Sequence, residues 1–248
     1  MTILRSKREI EMIRTVGKIA AQVVYYLRRM IREGVSTLTL DKEAYKFIRK
    51  NGARPAFLGY NGYPATICVS LNDEIVHGIP REERILKNQD LVSIDIGVEY
   101  KGFYADTAFS SFIGRMPSGV KLLMETTKRA LMEGIKKAKE GNFVGDISAA
   151  VQKYVEGKGF SVIRDFVGHG TGKKLHDDPQ VPNFGNPGEG VQLKTGMVLA
   201  IEPMVSAGDF RVNIDDDGWT ARTADGSLAC HFEHTIMVSE RGGVIITR

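Results

Sequence analysis

Cysteine is almost missing from this chain: of 248 residues only Cys68 and Cys230 are thiols, and their spacing fits neither a disulfide framework nor a zinc ribbon. No run is apolar for the ~18 or more residues that a membrane span needs, and the opening Met1-Thr2-Ile3-Leu4-Arg5-Ser6-Lys7 has no apolar core followed by a cleavage site. Charge of one sign is not in excess either. Lys and Arg number 34 against 30 Asp and Glu, a net +4, which permits an anionic partner without demanding one. No basic stripe is concentrated enough for nucleic acid, and Asp215-Asp216-Asp217 would oppose one. There is no linker rich in Pro, Gly or Ser. These absences argue for a cytoplasmic protein with reduced thiols and no membrane or DNA partner, folded as one domain over residues 1–248; a monomer is expected.

What is present is organised around residues 90–108. Asp90-Leu91-Val92-Ser93-Ile94-Asp95-Ile96-Gly97 and Phe103-Tyr104-Ala105-Asp106-Thr107-Ala108 flank a polar link containing Gly102, the pattern of an antiparallel hairpin. A loop centred between Tyr100 and Lys101 puts Asp95 directly opposite Asp106 with Cβ atoms ~5 Å apart. Two carboxylates so placed among Leu91, Val92, Ile94 and Ile96 need a cation between them, or else one protonates or stays wet. Taken alone, the pair is as well explained by one turn residue and one solvated residue.

Upstream, Ser6-Lys7-Arg8-Glu9 reads as a capping box opening a long helix. Its apolar stripe is Ile10, Ile13, Ala20, Val24, Leu27 and Ile31, and it ends at Gly34. Gly17 lies on that stripe and predicts close packing against a neighbour. A second helix is expected from Leu40 to Lys50, stopped by Gly52. The layout returns about one hundred residues later. Glu33-Gly34 matches Glu140-Gly141, Leu40 matches Ile147, Lys46-Phe47-Ile48 matches Lys153-Tyr154-Val155 and Gly52 matches Gly159, with the second long helix at 118–139. Because the glycines stay in register, a duplication is favoured over chance likeness of amphipathic helices. The halves, roughly 5–112 and 118–247, would face each other across a sheet with a site at the join.

The remaining chemistry is scattered. Gly59, Gly62 and Pro64 mark a loop whose Phe57, Tyr60 and Tyr63 either wall a pocket or simply pack it down. His77, between Ile75-Val76 and Gly78-Ile79-Pro80, reads by itself as a core histidine. Gly168-His169-Gly170-Thr171-Gly172 sets a His among glycines, with His176 close behind; it lacks the P-loop Lys-Ser/Thr ending. Met197 to Ile201 is an apolar strand ending in Glu202, which Pro203 holds extended. His231 to Val238 alternates as one strand, with Glu233 on the face of His231 and Thr235. Together these give Asp95, Asp106, His169, Glu202 and Glu233. Four carboxylates and one neutral imidazole carry about −4, which balances two divalent cations, and such ligation suits Mn²⁺, Fe²⁺ or Co²⁺ better than a structural zinc. Two metals ~3.5–4 Å apart can acidify a shared water and use it as a nucleophile.

Asp95-Ile96-Gly97, Asp106, Gly168-His169-Gly170-Thr171-Gly172, Ile201-Glu202-Pro203 and Phe232-Glu233-His234-Thr235, in this order and spacing, resemble the type I methionine aminopeptidases over essentially the whole chain. The resemblance implies an α+β "pita-bread" fold, with pseudo-two-fold duplicated halves whose helices pack on a curved antiparallel sheet. It implies two divalent ions (Co²⁺, Mn²⁺ or Fe²⁺, with Zn²⁺ and an added monovalent cation left open) held by the five residues above, and Glu202 moving protons to and from the nucleophilic water. His77 would contact substrate and leaving amine, and His176 the scissile carbonyl and its oxyanion. The methionine pocket would involve Phe57, Tyr60, Tyr63, Cys68, His77, Leu175, His176 and Trp219, and the substrates would be peptide or nascent-chain N-termini with a small second residue, met in passing contact with the ribosome. Two departures stand out: position 175 is Leu where many relatives carry Phe, and position 57 is a bulky Phe. The short stretch between His176 and Glu202 leaves no room for the insertion that marks type II relatives, and no N-terminal zinc-finger extension is present, as in the short bacterial form. Three alternatives stay open at this level. A prolidase shares the metal set but usually adds an N-terminal domain, a non-catalytic binding module usually loses ligands, and a ribosome- or RNA-binding protein needs basic surface.

Overall fold

The computed structural model describes every residue except Arg5, so the expected start of the first half falls outside the described residues. Helix α1 (Lys7–Arg28) opens as its sequence predicts: Ser6 Oγ accepts from the Glu9 N–H at 3.2 Å while the Glu9 carboxylate accepts from the Ser6 N–H at 3.1 Å, a reciprocal cap. It stops short of Gly34. The N–H groups of Arg29 and Met30 donate to Tyr26 and Leu27, tightening the last turn. Gly34 and Leu86 then exchange into a pairing in which Gly34 N–H donates to Leu86 O and Leu86 N–H to Val35 O. These backbone groups serve a neighbouring segment and cannot extend the helix, so Ile31 lies beyond it. Helix α2 (Thr37–Lys50) starts three residues earlier than the apolar pattern alone indicates, because Ser36 caps it by accepting from the Thr39 N–H.

The chain continues through β1 (Arg54–Pro55), β2 (Ile67–Leu71), β3 (Glu74–Val76) and the long hairpin β4 (Leu91–Tyr100) and β5 (Phe103–Phe112). A second helix pair, α3 (Ser118–Lys137) and α4 (Val144–Glu156), leads into β6 (Ser161–Val162), β7 (Gly168–Gly170), β8 (Asp177–Val181), β9 (Val198–Ile201), β10 (Met204–Ser206), β11 (Val212–Ile214), β12 (Ala221–Thr223), β13 (Ala229–His231), β14 (His234–Met237) and β15 (Val244–Ile245). One sheet has β1 and β2 along one edge of β4 and β5 along the other; a five-stranded sheet runs β15-β14-β9-β7-β8; two three-stranded sheets run β13-β10-β6 and β11-β12-β3. All pairings between these strands are antiparallel. Helix α1 packs over β4 and β5, and α3 packs on α4. Among the described residues no helix is long and apolar enough to cross a membrane.

Two details of register correct the sequence reading. The hairpin turns on Lys101 (φ 51°) and Gly102 (φ 79°), both left-handed, which is the backbone of a two-residue type I′ turn. Tyr100 therefore pairs with Phe103, and Asp95 faces Ala108 while Asp106 faces Gly97. The slip from the expected register is an even number of residues, so both carboxylates remain on one face as diagonal neighbours and not as a direct pair. The run from His231 to Val238 is likewise not one strand. It breaks at Phe232-Glu233, as the β9–β10 run breaks at Glu202-Pro203. At each break the chain passes between the five-stranded sheet and the β13-β10-β6 sheet.

Gly17 sits where its stripe predicts, buried on α1. A Cβ there would lie 2.4 Å from Ile246 Cγ2 and 2.5 Å from the Ile246 carbonyl oxygen, and backbone cannot yield as a flexible side chain can. Gly17→Ala should therefore lower the melting temperature by several degrees, corresponding to about 1–3 kcal/mol of overpacking. Intrinsic helix propensity alone would favour Ala by ~1 kcal/mol, so a higher melting temperature for the variant would contradict the tight contact.

Candidate metal centre

The polar face of the β4–β5 hairpin meets the breaks after β9 and before β14. The seam is closed by cross-bonds from β5: Asp106 N–H donates to Thr235 Oγ1 (2.8 Å), Thr235 Oγ1–H to Asp106 O (2.8 Å), Thr107 Oγ1–H to Glu233 O (2.9 Å) and Glu233 N–H to Ala108 O (3.0 Å). These bonds carry Glu233 over the hairpin carboxylates. From the other side β7 brings His169, wedged between β8 and β9. A Cβ at Gly168 would meet Ala200 O at 2.5 Å, and one at Gly170 would meet Asp178 O at 2.0 Å, so glycine on both sides of the imidazole is a steric requirement.

The result is a cluster in which Asp95, Asp106 and Glu233 offer ligand atoms within 4.8 Å of one another, as do His169, Glu202 and Glu233, and also Asp106, His169 and His176. His169 Nε2 lies 3.5 Å from Glu202 Oε1 and 3.8 Å from Asp106 Oδ2. Its Nδ1 is 2.9 Å from the Gly170 carbonyl oxygen. That acceptor selects the Nδ1–H tautomer and leaves the Nε2 lone pair facing the carboxylates, the usual state of a metal-bound imidazole.

The electrostatics agree. Burial pushes Asp95 up to about 6 and Glu202 up to about 8. Burial, with the neighbouring carboxylates, holds Asp106 and Glu233 well above the ordinary range, and burial with His176 pushes His169 down to about 3. Asp95 Oδ1, Asp106 Oδ1 and Glu233 Oε1 are fully enclosed without a hydrogen-bond partner. Among the described residues no Lys or Arg forms an ion pair with any of the four acids. Buried oxygens cost several kcal/mol when left uncompensated. Four acids without a basic partner, joined by one neutral imidazole, form a donor set that fits two divalent cations.

The cluster floors a cavity of about 630 Å³. Phe57, Tyr60, Tyr63, Cys68, His77 and Trp219 line it, with His176. Leu175 does not reach the cavity but backs this wall, buried with Phe57, Tyr63, Ala65 and Cys68. Cys68 pairs with Asp95 across β2–β4, which sets the apolar wall directly beside the carboxylates. His77 is no ordinary core histidine: its backbone is left-handed (φ 61°), its ring meets Phe166 edge-on at 5.2 Å, and burial pushes it down to about 4. His176 stands 4.3 Å from the His169 ring, its Nδ1 3.0 Å from Tyr60 Oη. Sequence reasoning did not single out Phe166 and Met204, which also line the cavity. Nor did it give a role to His231, whose buried Nε2 lies 3.6 Å from Glu202 Oε2. Strand alternation with Glu233 was the only available signal for His231, and the break in that strand obscured it.

A model of the metallopeptidase family M24 matches residues 11–240. The chain is 47% identical over 248 residues to methionine aminopeptidase 1 of Bacillus subtilis, covering 100% of both. It superposes with a TM-score of 0.97 on the crystal structure of the methionine aminopeptidase of Thermotoga maritima, at 45% identity and 100% coverage of each chain. The prolidase of Pyrococcus furiosus, at 22% identity, shares the pita-bread fold (TM-score 0.79), with all of this chain covering 66% of that one.

A carboxyl that is raised in the folded state binds its proton more tightly there than in the unfolded chain, so stability falls as pH climbs towards the folded value. The five imidazoles, all lowered by burial, act with the opposite sign below their ordinary value of about 6.5, so the window lies above it; there the buried Cys68 and Cys230 thiols, also raised, add a fall of the same sign, and the Glu202 variant separates the carboxylates from them. Chelator-stripped protein should melt lower at pH 8.5 than at pH 7.5, and stripped Glu202→Gln should melt higher than stripped wild type at pH 8. A stripped wild type that gains stability over this window, or a Glu202→Gln variant that melts lower, would contradict the uncompensated carboxylates.

Proposed function

The chain belongs to the metallopeptidase family M24 and, within it, to the methionine aminopeptidases, and we propose that this five-residue cluster removes the first methionine from peptides and nascent chains whose second residue is small. The observation that carries the proposal is the convergence of Asp95, Asp106, His169, Glu202 and Glu233 on the floor of an apolar cavity with two imidazoles on its walls. Two divalent cations held by these five residues, Mn²⁺, Fe²⁺ or Co²⁺ by ligand type and Zn²⁺ by tolerance, would supply an acidified water and Lewis acidity for the scissile carbonyl.

The side chains of the protein then have separable tasks. Glu202, on the floor of the cavity beside His169 and Glu233, can take the proton of the attacking water and return it to the leaving amine. His176, with Nδ1 on the Tyr60 hydroxyl, keeps Nε2 as a donor for the oxyanion when Tyr60 donates to Nδ1. His77, neutral because burial lowers it to about 4, can hydrogen-bond the substrate main chain and the departing amine. Phe57, Tyr63, Cys68 and Trp219, backed by Leu175, form the apolar end, which suits a flexible thioether better than a β-branched or charged side chain. The second residue must lie between His77 and His176, where bulk would push the reacting atoms out of line.

The wider reading is of one catalytic domain, 1–248, made of two related halves. Its support is that each half sets a helix pair before its strands, the first half contributing Asp95 and Asp106 and the second His169, Glu202 and Glu233. A monomer working in the cytoplasm, and visiting the ribosome to meet emerging N-termini, belongs to the same proposal.

Peptides that differ only at the second residue test it. With Mn²⁺ present, Met-Ala-Ser should release methionine and Met-Phe-Ser should not; equal rates would overturn the small-residue rule. His176→Ala should keep its bound metal and lose turnover by ~10²-fold or more, as expected for a lost oxyanion contact. Loss of metal instead would make His176 a ligand.

A further inference from the structure

His231 takes no part in the five-residue cluster, yet it is only 1% exposed and its Nε2 is enclosed without a hydrogen-bond partner. That nitrogen points at the site: it stands 3.6 Å from Glu202 Oε2, while the other oxygen, Oε1, stands 3.5 Å from His169 Nε2. The Glu202 carboxylate is thus bracketed by two imidazoles of unlike character. His169 presents a lone pair, since its Nδ1 is directed at the Gly170 carbonyl. Between an imidazole nitrogen and a carboxylate oxygen the favoured tautomer is the one that carries the proton on the facing nitrogen, so His231 presents Nε2–H.

The backbone that carries His231 is held unusually firmly. Its N–H donates to Ser110 Oγ (3.1 Å) and its carbonyl accepts from the same hydroxyl (2.9 Å), and Ser110 Oγ lies 2.7 Å from Ser93 Oγ on the partner strand of the hairpin. Ser93 and Ser110 are both buried. The backbone of His231 is therefore tied to the strands that carry Asp95 and Asp106, while Glu202 sits at the β9–β10 break, two residues before Met204, which pairs with His231 across β10–β13.

We propose that His231 is a positioning residue for Glu202, its Nε2–H directed at Oε2 across 3.6 Å so that Oε1 is kept towards the face shared with His169. The inference rests on the reading of Glu202 as ligand and proton carrier. Fixing one oxygen by a donor leaves the other free for the cluster, and a ligating carboxylate usually requires such an outer partner, whose loss costs 10–100-fold in metal affinity or activity. His231 does not line the cavity, and its effect on the chemistry passes through Glu202.

The test uses His231→Leu, which removes the donor at similar size, and His231→Gln, whose amide N–H can replace it. His231→Leu should lose at least ~10-fold in kcat on a Met-Ala-Ser peptide with little change in KM, and His231→Gln should recover most of the loss. In full-length chelator-stripped protein at pH 9, above the value of about 8 to which burial raises Glu202, long-range ¹H–¹⁵N correlation spectra should show His231 as the Nε2–H tautomer, with its Nε2 resonance moved by Glu202→Gln. Wild-type kcat in His231→Leu, or a His231 Nδ1–H tautomer, would overturn the positioning role. A His231→Leu protein that binds no Mn²⁺ would overturn it too, by making His231 a ligand. Should His231→Leu fail to fold, the tautomer in wild-type protein decides. Failure of the underlying reading looks different: Glu202→Gln itself would then retain activity.

Discussion

Like charge, confined, is the constraint on which the rest of the structure turns. Four carboxyl groups are drawn into a space where their ligand atoms lie within 4.8 Å of one another in overlapping sets, and no basic side chain among the described residues balances them. Such an arrangement is unfavourable in water-free surroundings unless protons or cations join it, so the fold must hold it against that repulsion. It does so with backbone. Bonds through Thr107, Ala108, Asp106 and Thr235 tie the hairpin to the chain around Glu233, while Gly168 and Gly170 let β7 close in with His169.

Around this core of negative charge the surroundings are sorted by type. The side beyond Cys68 is aromatic and apolar, and it ends in Tyr63 and Trp219, whose rings meet edge-on at 5.1 Å. The histidines divide by which nitrogen is occupied. His169 spends Nδ1 on a carbonyl, His176 spends Nδ1 on a tyrosine hydroxyl, and His231 leaves Nε2 facing Glu202. A hydrolase needs both sides at once, an apolar slot to hold the side chain and a polar floor from which the bond is attacked.

Much of this was legible in the sequence, and the exceptions have physical causes. The Ser6 cap, the buried Gly17 and the helix at Ser118 follow from local chemistry, which sequence displays directly. The end of α1 did not, since Gly34 and Val35, beyond the helix, bond Leu86, a partner more than fifty residues away in the chain. The hairpin register slipped because a polar link of four residues admits more than one turn centre, and only the left-handed pair Lys101-Gly102 selects this one. The strand breaks at Glu202 and Glu233 are a matter of two sheets meeting. Alternation along one strand cannot reveal that, and so it hid His231. Leu175 reads as a pocket residue in one dimension and backs the pocket wall in three.

The central claim is that the four acids and His169 are a built site for two divalent cations. Titration of chelator-stripped protein with Mn²⁺, followed by calorimetry and by metal analysis of the dialysed complex, measures this most directly. The account predicts two ions per chain for wild type, with proton release on binding because raised carboxyls must ionise, and a loss of at least one ion for Asp106→Asn. Saturation at no ions, or Asp106→Asn binding as wild type does, would contradict it.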